Sequence, residues 1–354
     1  MRRIPMVFFS LIFGTRPEYL KMKPLIDLFY KEKSIQFQVI YIQQHTSIDV
    51  SFEFDIVRLP IIELSENRLE DLASQIVRGL PSLLCKTSHL VVQGDTATVF
   101  YSALVAFQKN IKVVHIEAGL RTYTIDKPFP EEGYRQMVSR ITSYHFTPHQ
   151  DSEELLIQEK VNGKIFTVGN TILDLIKSYN LTVQKGNTVL ITLHRRENWA
   201  HMTSYIKQIN QLVDKYPQLT FIWFLHPNEL LQKTVRDTIN QRVLLKNPMS
   251  HRPFSEEISK CYLILTDSGG IQEEASFLGK QCIVLRTTTE RSHIPYPYIQ
   301  MIQHIEDIDT IFLKTTGELL PPCTVYGEGN SASKIYTILK SHTDEHKLLL
   351  SSNA

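Results

Sequence analysis

Two successive series of short apolar runs, separated by helix-like segments, constrain the fold of this chain most. The first series comprises residues 6–13, 37–41, 89–93, 112–116, 144–147 and 165–168, and the second comprises residues 188–193, 220–225, 242–245, 262–266 and 281–285. The hydrophobicity of these runs is continuous rather than alternating, which is typical of parallel strands covered by helices on both faces. Because the helices between them imply right-handed crossovers, the pattern predicts an α/β protein with two parallel-sheet units.

The boundary between the two units is predicted from the polar stretch 178–187, which contains Gly186. A chain of 354 residues with 42% hydrophobic content can bury two medium-sized cores. We therefore expect an N-terminal domain over residues 1–177 and a C-terminal domain over residues 178–340. The remaining tail, residues 341–354, is expected to form a final helix that frays.

Charge and cysteine content exclude several classes of partner. The formal net charge is +1, so no global field favours nucleic acid or an anionic membrane. The four cysteines show no paired metal-ligand spacing, which favours a reducing cytosol. Residues 1–13 have the basic start and short apolar run of a signal peptide, but no small-residue cleavage site follows. No other apolar stretch approaches the ~20 residues that cross a bilayer, so we expect a soluble cytoplasmic protein.

The sequence Asp-Ser-Gly-Gly at residues 267–270 has the composition of an anion-binding loop. It lies between the apolar run 262–266 and the helix-like stretch 271–278. A helix N-terminus offers unpaired N–H groups and the positive end of the helix dipole, and glycine lets a phosphate approach the backbone. Ser268, Gly269 and Gly270 are therefore predicted to hold a pyrophosphate.

Two residues near this loop are candidates for contacts to the rest of a nucleotide. Glu274, one turn into the helix, has the residue type that binds ribose hydroxyls in nucleotide sites; the alternative is an ordinary exposed helix glutamate. Phe254, after Pro253 in what we expect to be a short loop, can pack beside a base; the alternative is an apolar anchor of that loop. The sequence leaves both alternatives open.

Acidic candidates follow the predicted strands of the N-terminal unit. The carboxyl ends of parallel strands share one edge of a sheet, so two facing sheets would enclose these residues in one cleft. Asp95, Glu117 and either Glu131 or Glu132 would bring several carboxylates together, which makes acid and base forms available near neutral pH. The alternative for Asp95 is a helix N-cap, and for the pair after Pro130 it is a favourable interaction with a helix dipole.

Basic candidates supply the opposite charge at the same strand ends. They are Arg16, Lys21, Arg135, His194, Arg195 and Arg196, with His226 one strand later. A solvated surface position is the alternative for each of the arginines and the lysine. His194 closes an apolar run, which places a titratable ring at the cleft edge, whereas His226 fits a packed, hydrogen-bonded histidine equally well.

Two absences limit the chemistry. No G-x-G-x-x-G follows any predicted strand, so a dinucleotide fingerprint is missing, and no metal-ligand spacing is present. We therefore expect neither a cofactor nor a metal. The reaction has to depend on acids, bases and electrostatics.

A collinear series of motifs resembles the bacterial non-hydrolysing UDP-N-acetylglucosamine 2-epimerases. The motifs are FGTRPEYLKMKPLI at 13–26, VQGDTATVF at 92–100, HIEAGLRT at 115–122, PFPEEGYR at 128–135, VGNTILD at 168–174, LHRREN at 193–198, LTDSGGIQEEASFLGK at 265–280, TTTER at 287–291 and YGEGNSAS at 326–333. The resemblance implies two Rossmann-like domains facing a cleft, as in glycosyltransferase-B folds, a homodimer, and interconversion of UDP-N-acetylglucosamine and UDP-N-acetylmannosamine. The implied mechanism eliminates UDP to 2-acetamidoglucal and adds it back.

The resemblance also implies roles by motif position. Asp95, Glu117 and Glu131 correspond to the acid/base set, and His194 and Arg135 to cleft residues that orient groups or balance charge. The remaining implied contacts are Arg16 and Lys21 to substrate or phosphate, Glu274 to ribose, and Phe254 near uracil.

Several positions depart from the family pattern. Thr46 and Ser47 follow Gln44 and His45 where many members carry a glutamine of an allosteric substrate site. Gln93 replaces a common histidine, Thr287 a common aspartate, and residues 292–295 the usual proline and glutamate. The changes at Thr46 and Ser47 argue against allosteric activation by substrate. The changes at Thr287 and residues 292–295 lie near the expected sugar pocket and leave open a modified UDP-N-acetyl sugar, such as a 6-deoxy or uronic analogue, as substrate. The sequence is also compatible with a hydrolysing 2-epimerase that releases N-acetylmannosamine, with a glycosyltransferase of the same fold, and with an inactive nucleotide-sugar sensor.

Overall fold

The computed structural model describes residues 7–44 and 54–351 and divides the chain into two compact units. Unit 1 comprises Met1–Leu175 together with Tyr326–Ala354, and unit 2 comprises Ile176–Val325. Each unit contains one sheet in which every strand pairing is parallel. The predicted α/β class with two parallel sheets is therefore confirmed. His45, Thr46 and Ser47, and the side chain of Arg196, lie outside the described residues.

The sheet of unit 1 has seven strands in the order β3-β2-β1-β4-β5-β6-β7. Its strands are β1 Phe8–Phe13, β2 Gln36–Gln43, β3 Val57–Pro60, β4 His89–Gln93, β5 Lys112–Ile116, β6 Tyr144–Thr147 and β7 Lys164–Thr167. Its helices are α1 Arg16–Glu32, α2 Arg68–Leu83, α3 Ala97–Gln108, α4 Glu131–Ile141, α5 Gln150–Gln158 and α6 Thr171–Ser178, whose last three residues belong to unit 2. The strand order changes direction between β1 and β4, which is where open parallel sheets bind ligands.

The sheet of unit 2 has six strands in the order β10-β9-β8-β11-β12-β13. Its strands are β8 Thr188–Thr192, β9 Thr220–Phe224, β10 Leu244–Lys246, β11 Leu263–Thr266, β12 Cys282–Val284 and β13 Ile299–Met301. A 3₁₀ helix, Arg196–His201, precedes α7 Met202–Lys215, and the later helices are α8 Glu229–Thr238, α9 His251–Lys260, α10 Gly269–Phe277 and α11 Asp307–Lys314. The order changes direction between β8 and β11, directly beside the residues predicted to bind an anion.

The central strands of both sheets are buried, as their continuous apolar sequences predict. Every residue of β4, β6 and β11 is buried. Two strands are not predicted from the sequence, β3 and β13, which lie at sheet edges and contain polar residues. An edge strand has a neighbour on one side only, so it does not require a continuous apolar run; the other two edge strands, β7 and β10, do overlap predicted runs.

The C-terminal segment returns to unit 1. Helix α12, Ser331–Ser351, packs on α1, and Ala332, Ile335 and Leu339 join the core that surrounds β1. The sequence places residues 326–340 with the second half of the chain, whereas in the structure they belong to unit 1. Within the described residues, no helix combines the length and the apolar character needed to span a membrane.

Candidate active site

Glu117 is a tightly held carboxylate at the edge of the unit 1 sheet. It directly follows β5, is 7% exposed, and its backbone φ is 64°, a left-handed value that is uncommon outside glycine. Lys21 Nζ donates to its Oε2 at 2.6 Å and Asn170 Nδ2 donates to its Oε1 at 3.0 Å, with a third donor in Gln93 Nε2. An acidic group held in a strained backbone conformation by three donors is typical of a functional site.

Asp95 lies one strand away and pairs with Arg135. Arg135 approaches Asp95 Oδ2 with Nε at 2.8 Å and Nη2 at 2.6 Å, and the carboxylate side chain stays 28% exposed. The N-cap alternative for Asp95 is wrong, because Thr96 is the N-cap of α3 and its hydroxyl accepts from the Val99 N–H. Asp95 therefore keeps an accessible carboxylate beside a cation, and Arg135 is not a solvated surface residue.

The structure separates Glu131 from Glu132. Glu132 is buried, and its oxygens accept from the Thr122 and Tyr123 N–H groups, Arg135 and Gln136. Burial acts to raise the pKa of Glu132, but these hydrogen bonds outweigh it and lower the pKa. Glu131, at the start of α4, has a buried Oε2 that accepts no hydrogen bond from any described residue. Glu132 is thus a structural residue, and Glu131 is the one with a free oxygen.

The corner between β1 and α1 carries the predicted Arg16. Thr15 caps α1, and Glu18 completes a capping box by accepting from the Thr15 N–H at 2.9 Å and the Gly14 N–H at 2.6 Å. Its other oxygen accepts from the Thr96 hydroxyl, and burial raises the pKa of Glu18. This network joins the β1 and β4 edges. Arg16 itself is exposed and forms no ion pair with the described residues, so it is available to an anion.

Two unpredicted residues support these groups. Asn170, whose side chain donates to Glu117, lies in the loop before α6. Its backbone N–H donates to the Tyr326 carbonyl at 2.7 Å, so the C-terminal segment fixes the position of Asn170. His115 on β5 is buried and its Nε2 lies 2.7 Å from the Gly94 carbonyl, just before Asp95. Burial lowers the pKa of His115 to about 4, so the ring is neutral and donates from Nε2. The sequence signal for both was their position beside a strand end.

In unit 2, Asp267 joins the β8 and β11 edges. This fully buried carboxylate accepts from the N–H groups of His194 and Arg195, at 3.0 Å and 2.9 Å, and from Asn198 Nδ2 at 2.9 Å. Asp267 therefore fixes the loop that follows β8. The His194 ring lies 5.5 Å from the His226 ring, whose Nδ1 accepts from the Asn228 N–H at 3.0 Å.

Burial lowers the pKa of His194; Asp267 acts in the opposite direction, and His226 lowers the pKa further. A neutral imidazole at this edge can exchange a proton or donate a hydrogen bond. His226 is held by its own loop as the packed-histidine alternative expects, and it also shapes the surroundings of His194.

The start of α10 has the features of an anion site. Ser268 is the N-cap but its side chain makes no capping hydrogen bond, and the N–H groups of the first helical turn have no partner within the helix. A methyl group built on Gly269 would lie 3.7 Å from the Arg291 guanidinium carbon, so a cation flanks the loop. Arg291 in turn is paired with the buried Glu273. Neither Arg291 nor Glu273 is predicted from the sequence.

Glu274 and Phe254 lie on neighbouring helices. Glu274 is buried rather than exposed, its Oε2 lies 3.2 Å from His251 Nε2, and its Oε1 lies beside the space left by Gly270. Phe254 belongs to α9, so the prediction of a loop is wrong, and its ring meets Phe224 edge to face at 5.0 Å. A proline in the first turn of a helix, as Pro253 is, does not end it.

Two features define the class of this protein. Near its switch point, unit 1 presents two carboxylates, each paired with a cation. At the switch point of unit 2 lies a helix N-terminus that contains glycines. The first arrangement suits proton transfer and the second suits binding of a phosphorylated ligand. The fold therefore defines an α/β protein with two Rossmann-like units, and the groups at their strand ends suit acid/base chemistry in one unit and anion binding in the other.

Known proteins with similar sequences identify the family within this class. The profile of the family described as UDP-N-acetylglucosamine 2-epimerase matches residues 29–340. The chain is 36% identical over 311 residues to a Neisseria meningitidis UDP-N-acetylglucosamine 2-epimerase, covering 79% of this chain and 82% of that protein. It is 32% identical over 376 residues to a Campylobacter jejuni enzyme of the same name, covering 93% and 96%. The chain belongs to the UDP-N-acetylglucosamine 2-epimerase family.

Solved structures agree with this assignment. A Neisseria meningitidis UDP-GlcNAc 2-epimerase bound to UDP-GlcNAc is similar with a TM-score of 0.86 and 32% identity, covering 95% of this chain and 100% of that chain. A Staphylococcus aureus protein solved with UDP gives a TM-score of 0.85 at 28% identity, covering 96% and 97%. These matches confirm the predicted glycosyltransferase-B-like fold class. A wall teichoic acid polymerase, at 11% identity and a TM-score of 0.56, shares the fold alone.

Proposed function

We propose that this protein is a non-hydrolysing epimerase that interconverts UDP-N-acetylglucosamine and UDP-N-acetylmannosamine. Family membership supports the reaction class, and relatives of similar structure were solved with UDP-GlcNAc or UDP bound. The observation that carries the proposal is Glu117, strained, buried and held by Lys21 and Asn170, one strand from the exposed Asp95 carboxylate. The proposal requires these groups and the anion loop of unit 2 to act on one bound molecule.

The chemistry of the substrate favours elimination over simple deprotonation. Carbon 2 of the sugar carries an amide nitrogen and is not next to a carbonyl, so removing its proton alone has a very high free-energy cost. If UDP leaves from carbon 1 as the proton leaves carbon 2, the electrons of the broken C–H bond form the double bond of 2-acetamidoglucal. UDP then adds back while carbon 2 takes a proton on the opposite face. Atoms and charge balance without a cofactor.

We assign the two units different parts of this reaction. In unit 1, Asp95, Glu117 and Glu131 form the acid/base set, with Lys21 and Arg135 balancing charge. In unit 2, stabilisation of the departing diphosphate by Ser268, Gly269 and Gly270 contributes to catalysis as well as binding, because negative charge grows on UDP in the transition state. The remaining predicted contacts are Arg16 to phosphate, His194 and His226 at the reacting sugar, and Glu274 and Phe254 to uridine.

Family membership does not determine which carboxylate removes the proton from carbon 2, nor whether the glycal intermediate is hydrolysed. A non-hydrolysing outcome requires that water does not reach the glycal intermediate. The run Glu117 to Thr122, EAGLRT, supports this outcome by its resemblance to the non-hydrolysing branch. We further propose a cytoplasmic homodimer that serves surface polysaccharide synthesis.

Proton NMR of the wild-type protein with UDP-N-acetylglucosamine in deuterated water tests the proposal. Reversible elimination incorporates deuterium at carbon 2 of both isomers while the bond to UDP is retained. Free N-acetylmannosamine together with UDP would instead assign the protein to a hydrolysing 2-epimerase. No reaction in the absence of an acceptor would contradict the proposal and favour a transferase, the class represented by the wall teichoic acid polymerase of the same fold. If a modified UDP-N-acetyl sugar reacts faster than UDP-N-acetylglucosamine, that sugar would replace it as the proposed substrate.

A further inference from the structure

We infer that His251, held by Tyr179, is a positioning residue that orients Glu274 toward the ribose hydroxyls of the bound nucleotide. The inference rests on the proposed function, since it requires a uridine nucleotide at the start of α10. It goes further because it assigns roles to two residues that neither the motifs nor the anion loop single out.

The contacts form a chain of three side chains within unit 2. The Tyr179 hydroxyl lies 2.9 Å from His251 Nδ1, and His251 Nε2 lies 3.2 Å from Glu274 Oε2. The Arg252 guanidinium carbon lies 5.5 Å from the centre of the Tyr179 ring, which adds a cation–π contact to the hydroxyl end of the chain. The imidazole is thus fixed on one side by tyrosine and faces a carboxylate on the other.

The chemistry of the partners fixes the proton on the imidazole. A carboxylate accepts, so the proton that faces Glu274 is on His251 Nε2, and the Tyr179 hydroxyl is the partner of Nδ1. His251 Nε2 is buried and meets no acceptor with hydrogen-bond geometry in the described residues, although the carboxylate is 3.2 Å away. A small rotation of Glu274 would align this contact, which is how catalytic and binding hydrogen bonds tighten when a ligand arrives.

Glu274 is free to take up ribose. Neither of its oxygens accepts a hydrogen bond from the described residues, and its side chain is only 9% exposed. Its Oε1 lies 3.9 Å from the position that a Cβ of Gly270 would occupy, so the carboxylate faces the side of α10 where the glycines leave room. A carboxylate with one oxygen steered by His251 can offer the other to a vicinal diol. The contact therefore serves sugar recognition and not only folding.

His251 also connects this contact with the aromatic residue of the site. His251 is the first residue of α9, and Phe254 lies three positions later on the same helix face. Tyr179 thus stabilises the first turn of the helix that carries both residues. Loss of the His251 contact is expected to affect recognition of ribose while leaving Phe254 in place.

Isothermal titration of the full chain with UDP and with 2′,3′-dideoxy-UDP tests the inference, because the second ligand lacks the hydroxyls. Wild-type protein is expected to prefer UDP. His251→Ala should weaken UDP binding about tenfold and dideoxy-UDP binding less than about twofold, the scale of a hydrogen bond to a charged group. His251→Gln, which keeps a donor toward Glu274, should recover most of the preference for UDP over dideoxy-UDP. Tyr179→Phe should lower that preference about threefold. Lys260→Ala, an exposed position on the same helix, is the matched control.

A double-mutant cycle separates positioning from a structural role. In the Glu274→Gln background, His251→Ala should cause no further loss of the preference for UDP. Equal weakening of both ligands, or an additive loss in the double variant, overturns the inference while leaving the proposed function standing. If His251→Ala fails to fold, an unchanged preference for UDP in Tyr179→Phe overturns it instead. A wild-type protein that binds neither ligand contradicts the proposed function itself.

Discussion

The two units present different kinds of group at the same topological position. At the switch point of unit 1, charged side chains are paired with one another: Lys21 with Glu117, and Arg135 with Asp95 and Glu132. At the switch point of unit 2, Ser268, Gly269 and Gly270 form the N-cap and first residues of α10, and the buried carboxylate of Asp267 accepts hydrogen bonds from the loop after β8. One edge carries side-chain charge, and the other carries backbone donors.

This difference fits the two tasks that we propose for the units. A group that exchanges protons needs a side chain whose charge is balanced by neighbours, so that both protonation states are accessible. A group that holds a diphosphate needs fixed donors that do not titrate, which backbone N–H groups supply. We therefore expect that removing a carboxylate in unit 1 changes turnover, whereas adding a side chain at the start of α10 in unit 2 changes the affinity for UDP.

The strongest test of this division is removal of a unit 1 carboxylate. Asp95→Asn and Glu117→Gln should each lower turnover by at least about a hundredfold, the scale of general acid/base catalysis, with UDP binding largely unchanged. Steady-state kinetics and calorimetry on the same samples measure the two quantities. Glu154→Gln, at an exposed position of unit 1, is the matched control. Near-normal turnover in both active-site variants would remove these carboxylates from the mechanism.

A second test uses pH and the buried His115. Folded His115 has a pKa of about 4, against 6.5 for an ordinary histidine, so between these values the unfolded chain binds more protons than the folded chain. The free energy of unfolding should therefore fall as pH drops from 6.5 to 4, with this residue contributing about 3 kcal/mol of the loss. His145, whose pKa burial also lowers, acts in the same direction.

Urea unfolding across this pH range measures the effect. His115→Gln should flatten the dependence, because a neutral amide gains no proton on unfolding, whereas the exposed His201→Gln should leave it steep. An unchanged slope in His115→Gln would show that the folded ring takes up its proton over the same pH range as the unfolded ring. At low pH the carbonyl of Gly94 would then be held by a charged group, and unit 1 would contain one more cation beside Asp95.

The smallest expected effect comes from Gly270→Ala in unit 2. A methyl group there would meet nothing closer than Glu274 Oε1 at 3.9 Å, so the unit should fold normally. The added carbon lies where a phosphate would approach the backbone, and UDP affinity should fall about tenfold in calorimetry. Gly133→Ala in α4 of unit 1, with nothing within 4 Å, is the control. Unchanged UDP affinity would place the diphosphate elsewhere.

Prediction from sequence was accurate where burial alone decides structure. The predicted runs 89–93, 112–116 and 144–147 coincide with β4, β5 and β6, because a strand in the middle of a parallel sheet must be apolar on both faces. Prediction failed for two of the four edge strands, β3 and β13, which are short and contain polar residues. It also failed at Phe254, because a proline in the first turn of a helix resembles one in a loop.

The candidate site was predictable in position but not in pairing. Their positions just after predicted strands placed Asp95 and Glu117 at one sheet edge. In the structure they follow the adjacent strands β4 and β5. Which partner each carboxylate takes depends on side chains far away in sequence: Arg135 for Asp95, and Lys21 and Asn170 for Glu117. The distinction between Glu131 and Glu132 likewise depends on the loop at residues 122–123, whose N–H groups occupy only one of them.

The return of α12 to unit 1 has a consequence for biosynthesis. All seven strands of unit 1 emerge from the ribosome before unit 2, but Ala332, Ile335 and Leu339 of its core are made last. At roughly 5–20 residues per second, the nascent first unit exposes an apolar face for as long as translation of the second unit takes. Unit 2, contiguous in sequence, can close its own core first. The exposed face is therefore where a chaperone has its opportunity to bind.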